Sequence, residues 1–253
     1  MALKRIIPCL LLRDDGLVKT VKFKKSTYIG DPINAVKIFN EKEVDELVFL
    51  DIDATRNSKE PPYEAIRDIA TECFMPFCYG GGIRTIDQMH KIIASGAEKV
   101  AINTAAFLNP DLIREATAIF GSSTIVVSID YKKNLFGQTV AYINGGKKST
   151  KKDPVSYAVE MEELGAGEIF LNAIEKDGTM SGYDIELIKK VTDAVSIPVI
   201  ACGGAGKTDD FREVFDVAGV SAAAAGSLFV FQGKKRGVLI SYPGSAEVKN
   251  IIG

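Results

Sequence analysis

The chain has 253 residues, 46% of them hydrophobic, with a formal net charge of −2 and a single histidine. That length fits two small domains or one eight-fold strand–helix barrel, and the balanced charge gives no footing for nucleic acid or an anionic membrane surface. A histidine-rich metal site is excluded, and no apolar run approaches the roughly 20 residues of a membrane span.

The opening MALKRIIPCLLL lacks a small-residue cleavage site and reads as a first strand of a cytoplasmic chain, not a signal peptide. Seven more apolar runs follow the first, Ile6–Leu12: Leu47–Ile52, Phe77–Tyr79, Val100–Ile102, Ile125–Ile129, Ile169–Leu171, Val199–Ala201 and Ala222–Ala225. They are rich in Val, Ile, Leu and Phe without polar alternation, as strands buried on both faces should be. Helical stretches separate them, and Asp31-Pro32, Asn109-Pro110 and Asp153-Pro154 each place a capping side chain before a proline at the first helical position. His90 falls within one such helix as a surface or packing residue. Cys9, Cys73, Cys78 and Cys202 have no metal spacing and are expected to be reduced thiols in or near strands.

The stretch 76–104 is echoed by 197–227: X-Pro, an apolar run, a glycine pair, a polar helix start, a helix, a glycine and a second apolar run. A repeat at half the chain length predicts a single (β/α)8 TIM barrel domain over 1–253, built from half-barrels of about 1–120 and 121–253. No G-x-G-x-x-G follows the first strand, which disfavours an open dinucleotide-binding sheet. Residues 13–30 carry Lys19, Lys22, Lys24 and Lys25 and read as a basic lid over an anionic ligand, with a solvated lysine-rich loop as the alternative. Residues 131–153 contain LFGQTVAYINGG, which alternates and turns like a hairpin over the same face.

In such barrels the residues just past each strand build the active site. They are Leu11, Asp51, Gly81, Gly82, Asn103, Thr104, Asp130, Asp177, Gly178, Gly203, Gly204, Gly226 and Ser227. Gly203 and Gly204 with Gly226 and Ser227 make one phosphate site, and the repeat predicts a second from Gly81 and Gly82 with Asn103 and Thr104. Mere tight turns are the plainer reading. Asp130 ends an otherwise apolar strand, where a carboxylate is costly unless it is paired or used. Its counterpart in the first half is Leu11, so a facing pair of acids is missing. Arg5, Glu46, Lys99 and Glu168 recur at strand starts, either as a ring of ion pairs closing the barrel bottom or as a simple plug.

The stretches KRIIPCL, DELVFLDI, GGGI, INTAA, VVSID, GAGEI, DGTMSGYD and GGAGK make the whole chain resemble the cyclase subunit of imidazole glycerol phosphate synthase. The resemblance implies two phosphate sites holding a ribulosyl carboxamide nucleotide. It also implies a glutaminase subunit docked at the barrel bottom, whose ammonia passes a charged gate and is used at the top. Arg5, Glu46, Lys99 and Glu168 coincide with the gate, Asp130 with one of two catalytic aspartates, and Leu11 with the other. No cofactor or metal is implied. The opening IIPCLLL and the ending KKRGVLISYP resemble a branch of cyclase-like proteins from surface-polysaccharide clusters. That branch converts an acetamido to an acetamidino group with a separate sugar amidotransferase. Two other readings stand beside it: an authentic cyclase with Asp51 or Asp177 as the second acid, and a non-catalytic scaffold for a phosphorylated ligand.

Overall fold

Eight strands close into a ring in the computed structural model, which describes residues 4–233 and 235–253. They are β1 Arg5–Arg13, β2 Leu47–Asp51, β3 Phe77–Gly80, β4 Lys99–Ile102, β5 Ile125–Lys133, β6 Glu168–Ala173, β7 Val199–Cys202 and β8 Ala222–Ala225. Each pairs in parallel with the next, and β8 returns to β1 with Arg5 opposite Ala222 and Pro8 opposite Ala225. Helices follow the strands: α1 Pro32–Glu41, α2 Tyr63–Glu72, α3 Ile86–Ala94, α4 Asp111–Phe120, α5 Pro154–Glu163, α6 Ile185–Ala194, α7 Thr208–Ala218 and α8 Ser245–Ile252. This is the (β/α)8 TIM barrel that the strand count predicts. Among the described residues no helix is long and apolar enough to cross a membrane.

Strand alternation divides the core in two. Ile6, Leu10, Phe49, Val127 and Ile129 point outward onto the helices, whereas Ile7, Cys9, Val48, Val126 and Phe170 point into the ring. Both sets are buried, which is why the strands read as unbroken apolar runs. Asp31 caps α1 through Asn34 N at 2.9 Å, and Asp153 caps α5 through Ser156 N at 2.9 Å. The third predicted cap differs. Asn109 ends a short helical turn, Thr104–Leu108, and its side chain caps nothing; Pro110 itself precedes α4.

The segment 13–30 is not a loop. β1 runs on to Arg13 and pairs antiparallel with Gly16–Thr20, which pairs with Ser26–Gly30. The lysines masked two strands, GLVKT and STYIG, whose β-formers suffice once β1 offers an edge. The second excursion is the predicted hairpin, with Asp130 opposite Tyr142 and strand Thr139–Ile143 laid beside β5. Phe23 from the first packs on Val140, Tyr142 and Ile174, joining the two over the strand ends. His90 lies on the surface of α3 with its ring edge-on to Phe120, centroids 4.6 Å apart. All four cysteines are free.

Candidate functional site

A cavity of about 520 Å3 opens at the C-terminal ends of the strands. Asp130, Lys19, Asp51, Gly81, Gly82, Asn103, Thr104, Asp177, Gly178, Gly203, Gly204, Gly226 and Ser227 all lie on its wall. The glycine turns after β3 and β7 sit across the ring from each other, with φ of +73° at Gly82 and +121° at Gly204. A side chain at Gly204 would meet the Gly182 carbonyl at 2.2 Å, so only glycine lets that turn close.

On the second-half side, the Ser227 hydroxyl is buried and has no hydrogen-bond partner in the protein. Lys19 is 5% exposed, and a Cβ built on Gly226 would lie 2.0 Å from its Nζ. The first hairpin therefore carries the Lys19 ammonium onto Gly226 after β8, next in the chain to the unsatisfied Ser227 hydroxyl. An anion would satisfy both.

The first-half side is more occupied. Gly82 N donates to Thr55 Oγ1 at 3.2 Å, a cavity residue that sequence reasoning passed over. Asn103 donates to the Ser128 carbonyl of β5 at 2.9 Å and to the Tyr142 carbonyl at 3.3 Å, and Thr104 Oγ1 accepts from Asn144 N at 3.0 Å, so both tie the end of β4 to the hairpin. Asp51 accepts from Asp53 N at 3.0 Å and Ala54 N at 2.9 Å. Burial pushes its carboxyl up, with those two bonds opposing. Arg56, Arg84 and Lys147 supply positive charge at this rim.

Asp177 anchors the first hairpin. It accepts from Thr20 Oγ1 at 2.6 Å and from Phe23 N at 3.1 Å, while its own carbonyl accepts from Lys22 N at 2.9 Å. A Cβ at Gly178 would sit 2.1 Å from the Thr20 carbonyl. Asp177 and Gly178 therefore hold the hairpin against the barrel, and both also line the cavity.

Asp130, Asn172 and Cys202 stand side by side in register on β5, β6 and β7. Asn172 Nδ2 donates to Asp130 Oδ1 at 3.2 Å. Burial pushes the Asp130 carboxyl up to about 7, against the Asn172 bond and with help from Asp177. Cys9 on β1 and Cys202 on β7 both line the cavity. Across the ring, Leu11 and Leu50 are paired on β1 and β2 and give that side an apolar wall. Asn172, Cys9 and Cys202 were missed as site residues. Counting by twos up β6 from Glu168 would have placed Asn172 on the inner face.

At the other end, Arg5 and Lys99 each pair with both Glu46 and Glu168, Lys99 at 3.0 and 2.9 Å. Burial works against charge on Arg5 and Lys99, and the two carboxylates overcome it, moving both pKa values up. The four expected charges thus form a closed square. Between it and the cavity floor lie Ile7, Val48, Cys78, Val126, Phe170 and Ile200, packed together as the inner core. These side chains make the axis between the charge square and the cavity apolar.

Over residues 5–235 the chain matches the family described as Histidine biosynthesis protein. It is 55% identical over 243 residues to "Putative imidazole glycerol phosphate synthase subunit hisF2" of Pseudomonas aeruginosa, covering 96% of this chain and 97% of that protein. The chain belongs to the HisF family. A second HisF relative, "Putative imidazole glycerol phosphate synthase subunit hisF3" of Vibrio vulnificus, is 49% identical over 254 residues, covering all of this chain and 97% of the relative. The Streptococcus sanguinis protein named "Imidazole glycerol phosphate synthase subunit HisF" is 42% identical over 229 residues, covering 90% and 91%.

Proposed function

We propose that this HisF-family barrel receives ammonia from a glutaminase subunit at its N-terminal face and passes it on for acetamidino modification of a surface-polysaccharide sugar. One observation carries the reading: Leu11 stands where the family resemblance requires the second catalytic acid, leaving Asp130 without a partner across the cavity. Cyclising a ribulosyl nucleotide needs one group to give a proton and one to take it. Asp51 and Asp177 do not replace the missing acid well, because each already accepts two hydrogen bonds from its own or the lid backbone and side chains.

What remains suits nitrogen delivery. The charge square at the bottom gates entry, the apolar layer above it favours neutral ammonia over ammonium, and Asp130 with Asn172 offers a polar station at the top. Lys19, Ser227, Gly204 and Gly226 hold one phosphate group and the Gly82–Asn103 side with Arg84 holds the other, so a phosphorylated ligand seals the mouth while nitrogen moves. On this reading one anion site lies in each half-barrel, with Lys19 reaching from the first half onto Gly226 of the second.

Feeding glutamine labelled with nitrogen-15 at the amide to the chain, its glutaminase and the sugar amidotransferase tests this. Label in the acetamidino group, lost on Lys99→Met, is the expected result. Label appearing in imidazole glycerol phosphate instead would make the protein an authentic cyclase.

A further inference from the structure

The turn of the second hairpin is closed by Asn134 N, which donates to the Gln138 carbonyl at 2.8 Å, and Gly137 N, which donates to the Asn134 carbonyl at 3.0 Å. The Asn134 side chain tightens it further. Its Oδ1 accepts from Phe136 N at 2.9 Å and Gln138 N at 3.0 Å, and its Nδ2 donates to Gln138 Oε1 at 3.0 Å. Gly137 takes the left-handed step at φ +77°. Asparagine and glycine are what such a turn asks for; leucine and phenylalanine are not. Yet Leu135 is fully exposed and Phe136 88% exposed, the two highest values among the large apolar side chains described. A turn bonded this firmly holds both side chains out in water.

The rest of the hairpin is basic. Residues 131–153 hold six lysines against one carboxylate, Asp153, in a chain whose net charge is −2. Lys132 turns inward, donating to the Gly146 carbonyl at 2.8 Å with its ammonium over the Tyr142 ring. Only Lys152 of the six pairs with a carboxylate among the described residues, that of Glu160. Lys133, Lys147, Lys148 and Lys151 are exposed. Gly145 and Lys147 also line the cavity, so the hairpin that carries the apolar tip forms part of the rim of the mouth.

We propose that this hairpin is the docking surface for the protein that receives the nitrogen, an acceptor enzyme presenting an apolar pocket ringed by carboxylates. Leu135 and Phe136 are the anchors, and the four exposed lysines steer the approach and fix the orientation. Naming the acceptor as the partner rests on the nitrogen-delivery reading. Ammonia that leaves the mouth into bulk water is protonated and diluted, so the acceptor has to sit against the rim and exclude water there. The same demand selects a protein over an anionic bilayer, which would match the charge and the apolar tip but has no use for nitrogen.

The chain in complex with its glutaminase is titrated calorimetrically with the purified sugar amidotransferase at low and high salt. Binding should weaken at least about tenfold in Phe136→Ser and further in the double variant Leu135→Ser/Phe136→Ser. Lys148→Glu with Lys151→Glu should weaken it as well and flatten its salt dependence. Glutaminase activity and Tm should stay at wild-type values in all of these, because the tip lies in water away from the barrel bottom. Vesicles of phosphatidylglycerol and phosphatidylcholine, and sedimentation of the chain alone, are measured with the same variants. Wild-type affinity in the double variant, no binding of the amidotransferase at all, or tip-dependent binding to the vesicles or to a second copy of the chain would each overturn the docking surface. The labelled-glutamine experiment keeps the two readings apart. Label reaching the sugar despite tip-insensitive binding removes only the docking surface, and tip-dependent binding without label in the sugar removes only the delivery.

Discussion

Asp177 and Thr20, 157 residues apart in the chain, are joined by a 2.6 Å hydrogen bond that pins the lid hairpin to the turn after β6. The same carboxylate takes Phe23 N, and Gly178 beside it has no Cβ because the Thr20 carbonyl occupies that space. Lid position, and with it the place of Lys19 on Gly226, is therefore set from the second half-barrel.

Asp177→Ala should release the lid. Hydrogen bonds to a charged acceptor are worth about 1.5–3 kcal/mol each, so the open population should rise at least about tenfold. Exposed Lys22, Lys24 and Lys25 make trypsin the readout. Cleavage should accelerate in Asp177→Ala and in Gly178→Ala, whose methyl would meet backbone at 2.1 Å, and stay near wild type in Asp177→Asn.

The charge square should be costly to break and sensitive in function. Glu168→Gln leaves Arg5 and Lys99 sharing one carboxylate in a mostly buried setting. Removing one partner of a buried pair typically costs about 3–5 kcal/mol, and the partial exposure of both cations puts the expected loss near the lower end. Urea unfolding measures it. In the complex, the same change should let glutamine hydrolysis proceed without nitrogen transfer.

The pH dependence of stability should carry the mark of Asp130. Its carboxyl rises on folding to about 7, so the folded state prefers the protonated form. Stability is fully present below the ordinary carboxylate range near pH 4 and is lost progressively as pH rises through about 7. Roughly three pH units at about 1.4 kcal/mol each give a loss of about 4 kcal/mol by pH 8. Asp130→Asn should remove this slope, raising Tm at pH 8 while leaving it near wild type at pH 4.

Much of this was readable beforehand, for physical reasons. Strands buried on both faces leave unbroken apolar runs, and the repeated glycine pairs marked where backbone must approach closely, as Gly82 and Gly204 do. Arg5, Glu46, Lys99 and Glu168 stood out because charges at the ends of apolar strands need partners. The lid strands were hidden by their lysines. The bond from Thr20 to Asp177 was not legible, because the two residues lie 157 positions apart. Asn172 acquires meaning only from register, since its neighbour in space is Asp130 on another strand. Asn109 failed as a cap because Pro110 and a preceding helical turn took the position.

Leu11 is the residue on which the account turns. Wild-type chain and Leu11→Asp are assayed side by side for ammonia-dependent conversion of the ribulosyl carboxamide nucleotide to imidazole glycerol phosphate. The account predicts no conversion above buffer for the wild type and a measurable gain, at least about a hundredfold over background, once the second acid faces Asp130. Robust turnover by the wild type, with Leu11 in place, would contradict it.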